Sequence, residues 1–259
     1  MLIDSHCHLN MLDLKPFGDD LSLVIDAATR VGVEKMLCIA TNQKDLPEVL
    51  ACANRFDNVY ATVGMHPSDS KDNQLSKEEL IILANKPKVV GIGETGLDYY
   101  YEESDRAIQQ DSFRKHIQAA IELDLPVIIH SRNAPDDTLQ ILKEEGIEKC
   151  GAVLHCFTES WEMAKAALDM GLYISISGIV TFKNAHQVKD VASRVPMDRL
   201  LVETDSPFLA PMPYRGKSNY PAYVKDVAVF IAAMRGVAFE DFAKATTDNF
   251  YQLFKKVPR

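Results

Sequence analysis

Eight short apolar segments, rich in Val, Ile, Leu and Tyr, recur along the chain and leave room for a helix after each one. Continuous apolar runs of this length are typical of strands that are buried on both faces, as in parallel sheets. The predicted strands lie at residues 1–9, 35–41, 59–66, 88–94, 126–131, 151–157, 172–180 and 199–205.

The stretches between these strands have the apolar spacing of amphipathic helices. In the clearest of them, Phe113, Ile117 and Ile121 follow one helical face. Another starts with Ser76 and Glu79, which form a capping-box pattern. The predicted helices lie at 20–32, 44–55, 76–85, 104–124, 135–146, 159–170 and 184–194, with two more at 221–234 and 238–255 after a loop rich in proline and glycine.

Eight strands, each followed by a helix, predict an α/β fold, the closed parallel (β/α)8 barrel of the TIM type. A doubly wound open sheet is the alternative that the same pattern allows. The sequence has no linker, low-complexity segment or short internal repeat. We therefore expect residues 1–259 to form one domain.

Composition and charge narrow the class of protein. The hydrophobic fraction of 47% and the charged fraction of 25% are those of an ordinary globular chain. A net charge of −9 argues against a generally basic nucleic-acid coat, although a metal ion and a few local cations can still create a positive field inside a cleft. The five cysteines are scattered, and we find no secretory signal and no apolar stretch of about 20 residues. We therefore expect a cytoplasmic protein with reduced thiols and no membrane association.

Six side chains that can bind metal lie at or near the ends of five predicted strands. His6 and His8 are two residues apart on the first strand, so they project from the same face. Each side chain alone could be a core histidine or a helix cap, but burying it without a partner would cost several kcal/mol. Because barrel active sites lie at the carboxyl ends of the strands, shared metal ions at one mouth would satisfy all of them. The six candidate ligands are His6, His8, Glu94, His130, His155 and Asp205.

Two other histidines and one glycine-rich motif have simpler interpretations. His116 and His186 lie within predicted helices, where we expect them at the surface or in helix packing. The segment from Gly91 to Gly96, GIGETG, matches the dinucleotide-binding pattern, but no helix follows it directly. We interpret its glycines as allowing close strand packing and a sharp turn that presents Glu94, so NAD is not expected.

Cations and aromatic residues near the predicted mouth suggest how a substrate is held. Arg132 alternates with His130 and should point into the same cleft. Arg215 and Lys217 follow the eighth strand, where barrels commonly bind phosphate. The three tyrosines that come after Glu94 could cover the rim or stack on a base or sugar; they are Tyr99, Tyr100 and Tyr101.

With these residues assembled, the chain resembles the TatD family of metal-dependent deoxyribonucleases and, within it, the YcfH-like branch. The matching stretches run in order across nearly the whole length: DSHCHL (4–9), GMHP (64–67), GETGLDYYY (93–101), HSR (130–132), HCFTE (155–159), SGIVTFKNA (177–185), LLVETDSPFLAP (200–211) and RGKSNYPA (215–222). The resemblance implies an amidohydrolase-like barrel with two divalent cations. It implies that His6, His8 and Asp205 bind the first ion and that His130 and His155 bind the second. Glu94 would bridge the two ions.

Members of this family hydrolyse DNA phosphodiester bonds, so the resemblance implies a deoxyribonuclease, in many cases a 3′-5′ exonuclease, that uses a metal-activated water. Nitrogen and oxygen ligands suit Mg, Mn, Zn, Co or Ni. We expect the chemistry to depend on Asp205, which would deprotonate the water, on Glu94, and on Glu203, which shares a strand face with Asp205 and would support a ligand or accept a proton.

Two other classes of function fit the sequence. A hydrolase of a small ester, lactone or amide, or of a tRNA-linked ester, would use the same two-metal chemistry. A non-catalytic, metal-stabilised binding protein fits less well, because a structural site is normally closed by four ligands. We expect DNA or another phosphodiester as the substrate, no obligate protein partner, and a monomer.

Overall fold

The computed structural model describes residues 1–70, 74–100 and 105–259. Its eight strands are all parallel and form one sheet in the order in which they occur along the chain. The strands are β1 (Leu2–Cys7), β2 (Val33–Cys38), β3 (Val59–Val63), β4 (Val89–Asp98), β5 (Val127–Arg132), β6 (Ala152–Leu154), β7 (Tyr173–Ile176) and β8 (Leu200–Val202).

The two outer strands of this sheet, β1 and β8, meet just beyond their carboxyl ends. Cys7 and Ser206 form a parallel bridge. The backbone N–H of His8 donates to the carbonyl oxygen of Ser206 at 2.8 Å, and the N–H of Asp205 donates to that of His6 at 2.9 Å. These contacts bring the ends of the sheet together, which confirms the (β/α)8 barrel rather than a doubly wound open sheet.

A helix follows each strand, and a further helix ends the chain. The helices are α1 (Leu21–Arg30), α2 (Leu46–Arg55), α3 (Lys77–Ala84), α4 (Arg106–Leu123), α5 (Pro135–Glu145), α6 (Trp161–Asp169), α7 (His186–Arg194), α8 (Val224–Arg235) and α9 (Phe239–Leu253). The predicted capping box begins α3: Ser76 Oγ accepts from the N–H of Glu79, and the Glu79 carboxylate accepts from the N–H of Ser76.

Two layers of apolar side chains hold the barrel together. The larger layer lies between strands and helices and includes Phe113 and Ile117 of α4, as the helical stripe predicted. A second cluster joins Ile3, Ile128 and other strand residues to Phe254, just after α9. Burial of each such side chain contributes about 1.5–3 kcal/mol.

Strand β4 is longer than the sequence predicted. The expected sharp turn at Glu94 is wrong, because the strand continues to Asp98. The glycines do allow close packing: Gly96 has φ of +136°, and a Cβ at this position would lie 2.0 Å from the carbonyl oxygen of His130. The GIGETG segment therefore lies inside a strand, and α4 begins only at Arg106.

The sixth and eighth strands end earlier than predicted, so His155, Glu203 and Asp205 lie in the segments that follow them. Tyr101 lies outside the described residues. Within the described ranges, no helix has both the length and the apolar character needed to cross a membrane. That residues 1–259 form one domain stays a prediction.

Candidate metal centre

A first cluster of possible ligands forms where β1 and β8 end. The Nε2 atoms of His6 and His8 are 3.3 Å apart, and Asp205 Oδ1 lies 3.6 Å and 3.3 Å from them. His6 and His8 are buried, and Asp205 reaches the cavity described below. Two ring nitrogens that face each other beside a carboxylate can share either a proton or a cation.

The hydrogen bond on the far side of His8 fixes its tautomer. Its Nδ1 lies 3.2 Å from the carbonyl oxygen of Ile39. A carbonyl oxygen only accepts hydrogen bonds, so Nδ1 carries the proton and donates. In the neutral ring the lone pair is then on Nε2, which faces His6 and Asp205. This is the arrangement of a metal-binding histidine.

A second cluster of possible ligands surrounds one carboxylate oxygen of Glu94, Oε1. Glu94 Oε1 lies 2.7 Å from His155 Nε2, 3.2 Å from His130 Nδ1 and 3.5 Å from His66 Nε2. Burial by itself would raise the pKa of Glu94, but the surrounding imidazoles, His155 first, lower it well below its usual range. Glu94 is therefore a carboxylate.

Glu94 connects the two clusters. Its second oxygen, Oε2, lies 3.3 Å from His6 Nε2 and 4.0 Å from His8 Nε2. Each carboxylate oxygen therefore faces a different group of imidazoles. A carboxylate that bridges two cations has this disposition of oxygens.

Two further carboxylates orient histidines of the second cluster. His130 Nε2 donates to Asp98 Oδ2 at 3.1 Å, so its Nδ1 is free to bind a cation. His155 Nδ1 lies 3.4 Å from Glu203 Oε1, which also accepts the backbone N–H of Cys156 at 2.7 Å. Asp98 was not identified from the sequence, because the predicted strand stopped before it.

Glu203 lies behind both clusters and is fully buried. Its Oε2 and the Nδ1 atom of His6 are buried without a hydrogen-bond partner. Ligand atoms of His6, His155 and Glu203 lie within 4.8 Å of one another. Buried polar atoms normally find partners. A carboxylate this close to one histidine from each cluster could hold both imidazoles in the orientation that binds metal.

Replacing Glu203 with Gln is expected to weaken the binding of Mn²⁺ or Zn²⁺ by about 10- to 100-fold, because the amide no longer fixes the two imidazoles. Isothermal titration calorimetry or competition with a chelator measures this change. Glu159→Gln is the control, since the Glu159 carboxylate accepts from the backbone N–H of Asn133 instead. Equal metal affinities in the two variants would exclude this function of Glu203.

His66 enters the site although the sequence analysis did not select it. Its Nδ1 accepts the backbone N–H of Ser68 at 3.1 Å, so in the neutral ring the proton is on Nε2. Burial lowers the pKa of His66 to about 4, which keeps the ring neutral at pH 7. Its Nε2–H points toward Glu94 Oε1. The available signals were its position at the end of the predicted third strand and its place in the GMHP stretch.

The two helical histidines occupy the two kinds of location expected for them. His116 is buried where α4 packs, and His186 is exposed at the start of α7. His116 Nδ1 donates to the carbonyl oxygen of Ser112 at 2.7 Å, and Nε2 accepts the backbone N–H of Met65 at 3.0 Å. It thereby ties α4 to the segment that carries His66. Burial lowers the pKa of His116 to about 4.

This lowered pKa predicts acid sensitivity. The unfolded chain binds the proton near the usual pKa of 6.5, whereas the folded protein resists it until about pH 4. The stabilisation is complete above pH 6.5 and is lost as the pH falls toward 4. Between about pH 7.5 and pH 5, the free energy of unfolding lost through this histidine is about 2 kcal/mol. Urea unfolding at both pH values should show that His116→Gln loses about 2 kcal/mol less than wild type on acidification; equal losses would contradict this.

A cavity of about 570 Å³ opens above the two clusters, within the usual range for ligand sites. Among the described residues, its lining includes five of the six candidate ligands; the sixth, His6, lies beneath them. Arg132 also lines it. Its guanidinium lies 3.6 Å from the Tyr100 ring centroid and 3.8 Å from Asp98 Oδ2.

The other predicted substrate-binding residues lie outside this lining. The Tyr99 hydroxyl donates to Asp137 at 2.8 Å, and Arg106 covers its ring. Arg215 lies over the Phe182 ring at 4.5 Å, and Lys217 is exposed. A contact of Tyr99, Arg215 or Lys217 with substrate stays a prediction.

The described residues fit the binding of divalent cations. The donor set has imidazole nitrogens and carboxylate oxygens, as Mn, Zn, Co and Ni prefer, or Mg with additional water. The ligand atoms of His6, His8 and Asp205 lie within 4.8 Å of one another, as do those of His66, Glu94 and His130. All six ligands predicted from the sequence converge on this one centre.

Known proteins share this architecture. Residues 3–255 match the family model for TatD related DNase. The chain is 50% identical over 253 residues to the uncharacterized metal-dependent hydrolase YcfH of Escherichia coli K12, covering 98% of this chain and 95% of that protein. It is 35% identical over 247 residues to the 3′-5′ ssDNA/RNA exonuclease TatD of Salmonella typhimurium, covering 93% and 95% of the two chains.

A solved structure agrees with the barrel. The crystal structure of YJJV, a TatD homologue from Escherichia coli K12, superposes with a TM-score of 0.91 at 31% identity, covering 99% of this chain and 98% of that one. The family match extends over nearly the whole sequence, and the barrel carries its histidines and carboxylates at one mouth. This chain therefore belongs to the TatD family of metal-dependent hydrolases.

Proposed function

We propose that this chain is a deoxyribonuclease that hydrolyses phosphodiester bonds of single-stranded DNA from the 3′ end. The observation that carries the proposal is the division of the two Glu94 oxygens between separate clusters beneath an open cavity. Paired metal sites of this kind serve in-line displacement at phosphorus. The 3′-5′ ssDNA/RNA exonuclease TatD of Salmonella typhimurium, at 35% identity, supports a single-stranded substrate and the 3′ end, and the TatD related DNase family supports the choice of DNA.

The two clusters would hold two divalent cations, the first through His6, His8 and Asp205, the second through His130 and His155, with Glu94 between them. When bound, these cations supply Lewis acidity, which lowers the pKa of a water molecule and offsets charge on the phosphate. The protein contributes the positions of the ligands and their tautomers.

Asp205 is the carboxylate best placed to accept a proton from the attacking water. Burial raises its pKa, but the neighbouring His8 and His6 rings lower it by more, so the pKa lies below its usual value. The group is therefore ionised at neutral pH. It also lines the cavity, where a water can reach it.

Two further side chains would orient the phosphate. His66 presents a neutral Nε2–H at the second cluster and can donate to a phosphate oxygen. Arg132, positioned between Tyr100 and Asp98, offers a planar fork of donors to the non-bridging oxygens. Both groups would stabilise the negative charge that the phosphate oxygens carry during the displacement.

The test is hydrolysis of single-stranded DNA, labelled separately at each end, by the metal-loaded protein. We expect stepwise shortening from the 3′ end, abolition by a chelator, and a rate that falls as salt rises, since phosphate contacts weaken with ionic strength. Double-stranded DNA and a panel of esters, amides and a tRNA-linked ester are the comparison substrates. Rapid hydrolysis of one of these esters or amides without cleavage of DNA would overturn the proposal.

A cytoplasmic location, a monomeric state and the absence of an obligate protein partner stay predictions from the sequence. Size-exclusion chromatography with light scattering tests the monomer directly.

A further inference from the structure

The two sides of the cavity differ in polarity. Segments after β7, β8 and β1, which are neighbours in the closed sheet, contribute an apolar wall made of Met11, Ile179, Phe208 and Leu209. Segments at the ends of β3 and β5 contribute polar side chains, namely Ser68, Asp69, Ser131 and Arg132. A ligand in this cavity therefore contacts apolar side chains on one side and charged or hydrogen-bonding side chains on the other.

Phe208 is the most prominent residue of the apolar wall. Its side chain is 52% exposed, and its ring centroid lies 6.0 Å from that of His8 in the first cluster. The backbone holds it there: its N–H donates to the carbonyl oxygen of Asp205 at 2.9 Å, and its carbonyl oxygen accepts from Asn219 Nδ2 at 2.7 Å. An exposed aromatic ring fixed beside a catalytic centre is typical of a ligand contact.

We infer that Phe208 is the surface on which the base of the released nucleotide stacks; this inference rests on the proposed function. A phosphate held between the clusters and Arg132 directs the rest of that nucleotide toward the opposite wall. Aromatic rings stack on every nucleobase, because each base has a π face. The available volume also fits one small ligand.

This contact has two consequences for specificity. The base must leave its neighbour in a duplex before it can reach Phe208, which favours single-stranded ends. Stacking makes no hydrogen bonds to base edges, so it discriminates little among the four bases. Phe208 therefore distinguishes a nucleotide with a base from one without a base.

The experiment compares two single-stranded oligonucleotides that differ only at the 3′ terminus, one with a normal nucleotide and one with an abasic residue. With Mn²⁺, the kcat/KM of wild type should be about tenfold higher for the normal end than for the abasic end, mainly because KM is lower. In Phe208→Ala this ratio should fall to about one. Phe208→Leu, which keeps an apolar side chain of similar bulk, should lose most of the ratio, and Phe208→Trp should keep it.

Met212→Ala is the matched control. Met212 is on the same loop and is 49% exposed, but it is not among the described residues of the cavity lining. This variant should keep the wild-type ratio. Calorimetry with Mn²⁺ on Phe208→Leu should give the wild-type affinity, which shows that the nearby clusters are intact.

Two results would overturn the stacking contact alone: DNA cleavage by wild type with no preference for the base, or a preference that Phe208→Ala and Phe208→Leu retain. Failure of wild type to cleave either oligonucleotide is a different result. It overturns the proposed deoxyribonuclease function and the inference with it.

Discussion

Replacing Asp205 with Asn is expected to lower kcat on single-stranded DNA by about a thousandfold while the fold stays intact. The amide cannot accept a proton from water, and general-base catalysis contributes about 10²- to 10⁴-fold. The substitution also removes one negative charge from the first cluster, where Asp205 Oδ1 lies 3.3 Å from His8 Nε2. Single-turnover kinetics with excess enzyme measure the chemical step directly.

The control for this variant is Asp169→Asn, an exposed carboxylate on α6 that pairs with Lys165. It should match wild type, because surface ion pairs contribute little to stability. The circular dichroism spectra should be the same for both variants. Near-normal turnover by Asp205→Asn would remove Asp205 from the chemistry.

Glu94→Gln should have the second large effect, on metal content as well as on rate. Glu94 has one carboxylate oxygen in each cluster, so its loss weakens both positions at once. We expect at most one Mn²⁺ per chain instead of two, and turnover lower by at least about a thousandfold. Inductively coupled plasma mass spectrometry after dialysis gives the stoichiometry.

The metal-free Glu94→Gln protein should also be less stable. Breaking a buried ion pair by removing one partner costs about 3–5 kcal/mol, and Glu94 Oε1 lies 2.7 Å from His155 Nε2. Urea unfolding in the presence of a chelator measures this difference. The control is Glu240→Gln, an exposed residue of α9. Two firmly bound ions in Glu94→Gln would rule out the bridge.

The sequence predicts the barrel well because its strands are short, apolar and regularly separated by helices. It also selects six candidate ligands, since each lies at or near the end of an apolar run: His6, His8, Glu94, His130, His155 and Asp205. The convergence of these residues depends only on the parallel order of the strands, because all carboxyl ends then lie at one mouth.

Other parts of the site depend on tertiary contacts that no local pattern records. Asp98 was missed because β4 continues past Glu94, where glycines allow it to pack closely against β5. The tautomer of His66 is set by the backbone N–H of Ser68, which depends on the local turn. Tyr99 follows the predicted strand, but its hydroxyl turns to α5 and bonds to Asp137.

The central claim is that two cations share the Glu94 carboxylate. The most direct test is anomalous X-ray diffraction from crystals of the protein soaked in Mn²⁺. We expect two peaks, one at Glu94 Oε2 with His6, His8 and Asp205, the other at Glu94 Oε1 with His130 and His155. A single peak, or two peaks of which one has no contact with Glu94, would contradict it.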